Sequence, residues 1–248
     1  NREIYPMYQP MFSLSTGEIQ GLEALTRWMH PKLGNIAPSR FIGIAEEIGM
    51  IDTLGDYILE RTCREIGPIV HAMPDHHISL SVNLSCRQFG QPKLVENIMS
   101  TLERTRFPAD RLKLEITESI FFEYQAKAIE MLNQIREMGI KIDIDDLGTG
   151  YSNLGYLIKL RIATLKIDRS FVDPIDSEGR NTEIVKTVLA LARNLGLRTV
   201  AEGIETEHQL RALKDLGCDG GQGFLFAKPM ELDDLRQYLA DNTGTKLA

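Results

Sequence analysis

The chain has 248 residues, 43% hydrophobic and 25% charged, which is enough apolar mass for one large core. Its net charge of −7 argues against a general nucleic-acid-binding surface, so a phosphate-bearing ligand needs a local positive site. Three scattered cysteines, Cys63, Cys86 and Cys218, exclude a disulfide framework or thiolate metal site and point to a reducing, cytoplasmic setting. No apolar run approaches the roughly 20 residues of a membrane span. The chain opens on Asn1 without a signal peptide, and Ile4 already begins a strand-like run. We therefore expect a single domain over residues 1–248, belonging to a longer protein and making no membrane contact.

Ile4–Phe12 and Glu18–Trp28 read as strands joined by a turn of hairpin length. So few residues cannot hold a crossover helix, so these two strands are expected to be antiparallel. Helices follow from Pro38 to Gly49 and from Asp52 to Ile66. Strand and helix then alternate: strand Ile78–Leu84, helix Pro92–Thr105, strand Arg111–Thr117, helix Tyr124–Met138 ending at Gly139. The focal strand comes next, in the stretch Lys141–Leu154, KIDIDDLGTGYSNL. It ends on Asp145 and Asp146 and runs into a glycine-punctuated loop and a short helix over 152–158. Strand Ala163–Asp168, helix Thr182–Leu195 and strand Leu197–Ala201 continue the alternation. Helix Thr206–Leu216 opens on a Thr-x-x-Gln capping box. Strand Gly221–Ala227 and helix Glu231–Leu239 close the series, with a frayed polar tail after it. Eight strands, seven of them leading into helices, predict an α/β fold: a modified TIM (β/α)8 barrel with an antiparallel first strand.

In such barrels the chemistry sits at the C-terminal ends of the strands. Those ends offer Gln9; Glu23 and Arg27; Asn83; Glu115 and Glu118; Asp145 and Asp146; Lys166; Glu202 and Glu205; and Gln222. So many carboxylates around one mouth cannot be paired off internally, and their repulsion calls for cations. All the candidate ligands are oxygen donors, which favours magnesium, manganese or calcium over zinc or copper. Two divalent ions bridged by a carboxylate suit hydrolysis of phosphate esters. Arg27 is placed to hold a phosphate oxygen. His30, His71, His76, His77 and His208 are given no role, because oxygen ligands fill the site. Trp28 and Cys63 read as packing residues, Arg180–Glu183 as a solvated helix start, and Phe121–Phe122 as packing, with lining of the pocket as the alternative.

The motifs GLEALTRW, VNLS, LEITES, DDLGTGYSNL, LKID, VAEGIET and QGF resemble, in order, those of the EAL-domain cyclic di-GMP phosphodiesterases. The resemblance runs from Tyr8 to Pro229 and implies a modified TIM barrel whose first strand is antiparallel. It implies metal ligands at Glu23, Asn83, Glu115, Asp145, Asp146 and Glu202, with Asp145 bridging two Mg2+ or Mn2+ ions. Lys166 matches the lysine that holds and polarises the attacking water, with a general-base role as the alternative, and Gln222 a glutamine near the reacting centre. Gln9, Leu25, Arg27 and Pro229 fall where the family lines its dinucleotide pocket. Glu118 matches the residue that shapes the glycine loop, and Glu205 a supporting carboxylate. The departures are Leu147, where the family has Phe, and Phe224, where Tyr is common.

The resemblance implies metal-dependent opening of cyclic di-GMP to linear pGpG, a homodimer, and fused sensory or GGDEF-type domains. Ca2+ is expected to inhibit, because it is larger than Mg2+, takes more ligands and misplaces the water. The alternative is a non-catalytic cyclic di-GMP receptor or relay module. A barrel phosphohydrolase for a sugar phosphate is a third, weaker reading.

Overall fold

The computed structural model describes residues 3–117, 125–145, 162–175 and 179–243. The expectations for Glu118, Phe121, Phe122, Asp146, Leu147, the glycine loop and the 152–158 helix lie outside the described residues.

Strands β1 (Ile4–Ser13) and β2 (Ile19–His30) form the expected antiparallel hairpin, with Gln9 opposite Glu23. The turn is closed by Gly17 N–H donating to Ser13 O at 2.9 Å and Ser13 N–H to Glu18 O at 2.8 Å. From β2 the sheet runs through parallel strands β4 (Ser79–Asn83), β5 (Leu112–Thr117), β6 (Lys141–Asp145), β7 (Thr164–Ile167), β8 (Arg198–Ala201) and β9 (Gly220–Gly221). The antiparallel pairing of β1 with β9, Phe12 opposite Gly221, closes the circle into an eight-stranded barrel. The expected architecture is therefore the one observed.

Alternation along each strand separates two environments. Leu80, Leu112, Leu114, Ile116, Ile142, Ile144, Leu165 and Ile167 are buried in the main apolar cluster. The intervening residues are polar: Ser79 and Ser81 on β4, Lys113 and Glu115 on β5, Asp143 and Asp145 on β6, Thr164 and Lys166 on β7. The capping box of helix Glu207–Asp215 is present, with Thr206 Oγ1 accepting from Gln209 N–H and Gln209 Oε1 from Thr206 N–H. Trp28 packs edge-on against Phe41, and Cys63 is fully buried.

Several elements differ from expectation, among them a one-turn helix, Arg169–Val172, directly after the strand that ends at Ile167. A short strand β3 (Gly34–Ile36) extends the hairpin, and its three residues are too few to show a periodicity. The second helix spans Ile51–Ala72 and passes through Pro68, beyond the expected stop at Ile66. The buried row Ile58, Leu59, Cys63, Ile66, Ile69 and Val70 holds it together past the missing N–H. The last strand stops at Gly221 instead of Ala227. A Cβ at Gly223 would lie 2.1 Å from Ile204 O, so the chain presses backbone to backbone there and turns, with Phe226 and Ala227 N–H donating back to Gly223 O.

Candidate active site

The polar residues of the barrel mouth converge on Lys166, which is 1% exposed. Its Nζ lies 2.7 Å from Glu115 Oε2, 2.5 Å from Glu202 Oε1, 3.4 Å from Glu23 Oε2 and 3.7 Å from Asp145 Oδ1. Strand register produces this convergence. Asn83 lies opposite Glu115 and Thr117 opposite Asp145, while Glu202, just past the end of β8, donates its N–H to Ile167 O at the last residue of β7. Neutral amides complete the cluster. Asn83 Nδ2 donates to Glu23 Oε1 at 3.0 Å, and Gln222 Nε2 donates to Glu23 Oε2 at 2.7 Å and to Gln9 Oε1 at 2.9 Å. Gln9 Nε2 in turn donates to Ala227 O, tying β1 to the segment beyond β9.

The charges in this cluster do not balance. Four carboxylates face one ammonium, so full ionisation leaves three negative charges. Burial alone would discharge Lys166, but Glu115, Glu202, Glu23 and Asp145 hold its pKa well above the ordinary lysine range. Burial also opposes ionisation of Glu23, yet Lys166 and the amides of Gln222 and Asn83 outweigh it and keep Glu23 below the usual carboxylate range. Glu115 is pushed well above that range by burial and by Glu23. Burial, against the pull of Lys166, raises Glu202 to about 8, with Glu23 and Asp145 adding to the rise. The carboxylates thus compete for too little positive charge.

Among the described residues no three acidic, histidine or cysteine side chains are gathered as a finished metal cage, and Lys166 stands between the carboxylates instead. The site nonetheless has the character of a cation site. Its donors are all oxygens, its charge excess is negative, and Glu115 Oε1 is buried without a hydrogen-bond partner.

The remaining expected residues lie around this centre. Leu25 and Arg27 are half-buried on β2, two and four residues beyond Glu23. Among the described residues Arg27 Nη1 donates to Thr26 O at 3.0 Å, and burial depresses the Arg27 pKa against the pull of Glu23. Pro229 is half-buried beside Met230, whose backbone pairs with Tyr8. Glu205 is exposed and pairs with Arg169 Nη2 at 3.0 Å, away from the Lys166 contacts. Reasoning from strand ends missed one feature. Two residues below the mouth, Lys113 Nζ forms a buried pair with Asp143 Oδ2 at 2.8 Å and donates to Thr164 Oγ1 at 3.3 Å. The i, i+2 spacing to Glu115, Asp145 and Lys166 was the available signal.

A family model described as the EAL domain matches residues 1–229. The chain belongs to the EAL-domain family. The triplet that names it is Glu23-Ala24-Leu25, in which Glu23 enters the Lys166 cluster while Ala24 packs in the apolar core. This EAL domain is 41% identical over 232 residues to the cyclic di-GMP phosphodiesterase NbdA of Pseudomonas aeruginosa, covering 94% of this chain and 30% of NbdA. It is 39% identical to the bifunctional diguanylate cyclase/cyclic di-GMP phosphodiesterase MucR of the same organism, covering 96% of this chain and 35% of MucR. The solved MucR phosphodiesterase in complex with c-di-GMP superposes with a TM-score of 0.89 at 38% identity, covering 94% of both chains. The chain thus spans about a third of the length of these curated relatives. Among the described residues no helix is long and apolar enough to cross a membrane.

Proposed function

We propose that this EAL domain hydrolyses cyclic di-GMP, opening one phosphodiester bond to give linear pGpG with Mg2+ or Mn2+. The observation that carries this reading is the buried excess of carboxylates around Lys166 at the barrel mouth. Glu23, Asn83, Glu115, Asp145, Asp146 and Glu202 would hold the ions. When bound, two divalent ions supply Lewis acidity that activates water and neutralises charge developing on the phosphate.

The chain's own residues do the positioning. Lys166, whose proton the four carboxylates hold in the metal-free cluster, would hold and orient the attacking water. Gln222 and Asn83 fix both oxygens of Glu23, and Gln9 fixes Gln222. Arg27, whose one hydrogen bond among the described residues goes to a backbone carbonyl, is available to a phosphate oxygen. Leu25 and Pro229 supply apolar surface to the dinucleotide, Glu118 shapes the loop after Asp146, and Glu205 supports the rim. A homodimer and fused sensory or GGDEF-type domains complete the reading, the latter supported by the greater length of the relatives.

The test is cyclic di-GMP turnover with Mg2+, Mn2+, Ca2+ or chelator, with products resolved by chromatography and Glu23→Ala run alongside. The expected result is pGpG with Mg2+ or Mn2+, little with Ca2+, and none with chelator or in the variant. Intact cyclic di-GMP in every condition overturns the reading, and tight binding without turnover replaces it with a receptor.

A further inference from the structure

The opposite end of the barrel holds a second concentration of charge. The N-terminal ends of β4 to β8 and the base of the β1–β2 hairpin line a cavity of about 310 Å3. Four cationic side chains line it, Arg111, Lys113, Lys141 and Arg198, with His77 beside them, against one acid, Asp110. This runs counter to a chain whose net charge is −7.

Two of these cations are already matched: Lys113 by Asp143 at 2.8 Å, and Arg111 by Asp110 at 3.6 Å. Among the described residues Lys141 and Arg198 form no ion pair, and Arg198 donates only to the side-chain oxygen of Gln20. The register sharpens the imbalance. Lys141 lies directly opposite Lys113 across the β5–β6 pair, and Arg198 lies opposite Thr164 across β7–β8. Asp143 already offsets Lys113, so the charge left unmatched at this level is that of Lys141 and Arg198. Met11, Phe12 and Val200 add an apolar wall. A neighbouring cavity of about 500 Å3 shares Gln20 and Arg198 and adds one base, Lys214, and one acid, Asp219.

We propose that this cavity is a second ligand site, separate from the mouth, that takes a small phosphate-bearing molecule with an organic body. Lys141 and Arg198 hold the phosphate, the guanidinium fork matching its oxygens. Met11, Phe12 and Val200 receive the organic body. The volume lies at the lower end of small-molecule sites, which run from about 300 to 1,000 Å3.

The experiment titrates metal-free protein with inorganic phosphate and with AMP, following backbone amide shifts. Both probes are expected to move Ser79, Thr164 and Val200 while leaving Gly203 and Gln222 at the mouth in place, with AMP binding more tightly than phosphate. K141Q/R198Q is expected to weaken AMP binding by about tenfold or more while keeping the wild-type melting temperature. If the double variant does not fold, each single variant is expected to weaken binding in the same direction. Shifts confined to the mouth, AMP binding that the variants leave unchanged, or no shift up to about 10 mM of either probe overturns the proposal. Phosphate binding tighter than AMP overturns the assignment of the apolar wall.

Discussion

Two layers of the barrel interior, two residues apart on the same strands, treat charge in opposite ways. In the lower layer Lys113 faces a single buried carboxylate, Asp143, and shares a hydrogen bond with Thr164. In the upper layer Lys166 faces Glu23, Glu115, Asp145 and Glu202 together. A one-to-one pair balances its own charge, although Asp143 Oδ1 is buried without a hydrogen-bond partner among the described residues. A four-to-one cluster does not balance. It costs stability in the metal-free protein, and a fold keeps such a cost where a site needs it. The contrast separates charge that supports the barrel from charge that awaits a ligand.

The largest expected effects are on turnover and test the upper layer. Glu23→Ala is expected to abolish pGpG formation. Lys166→Ala is expected to lower kcat by about 10²–10³-fold, as for loss of one positioned donor, with KM changed much less. A Lys166→Ala variant with normal kcat would reduce Lys166 to a structural counter-ion.

The lower layer should respond in stability. Lys113→Met leaves Asp143 buried without its partner and is expected to cost about 3–5 kcal/mol, read by urea unfolding. Lys113→Met combined with Asp143→Leu is expected to recover most of that loss. Equal losses in the single and double variants would show that more than this pair is at stake.

Protons give a third comparison. Glu202 titrates at about 8 in the fold against an ordinary value of 4.5, chiefly because it is buried. Between those values the folded state keeps a proton that the unfolded state releases, so metal-free stability falls as pH rises through the window. Metal binding displaces that proton, so apparent Mg2+ affinity is expected to rise with pH over the same range. Thermal melts across pH, with and without Mg2+, check both signs, and a flat metal-free profile would remove Glu202 from the cluster's charge imbalance.

The smallest effect concerns the scaffold between strands. Gln9→Ala removes the tie to Ala227 O and to Gln222 and is expected to cost about 1–2 kcal/mol, read as a lower melting temperature.

Much of this was legible in the residues alone. Alternation with period two and the turn between Ser13 and Glu18 predicted the barrel and its antiparallel opening strand. Those signals are local: side chains alternate within one strand, and a short turn permits one topology. Polar residues at strand ends named the members of the mouth, and the structure brings Glu23, Asn83, Glu115, Asp145, Lys166, Glu202 and Gln222 together.

The tertiary structure alone decided how they share charge. Lys166 is fully buried and bonded to the carboxylates because register across β4 to β8 sets its neighbours, and register is a relation between strands. The end of β9 at Gly221 follows from contact with Ile204, seventeen residues away in sequence. The Lys113–Asp143 pair and the basic cavity beneath it come from the same cause. Lys113, Asp143, Lys141 and Arg198 look like ordinary surface charges until the closed barrel sets them beside residues distant in sequence.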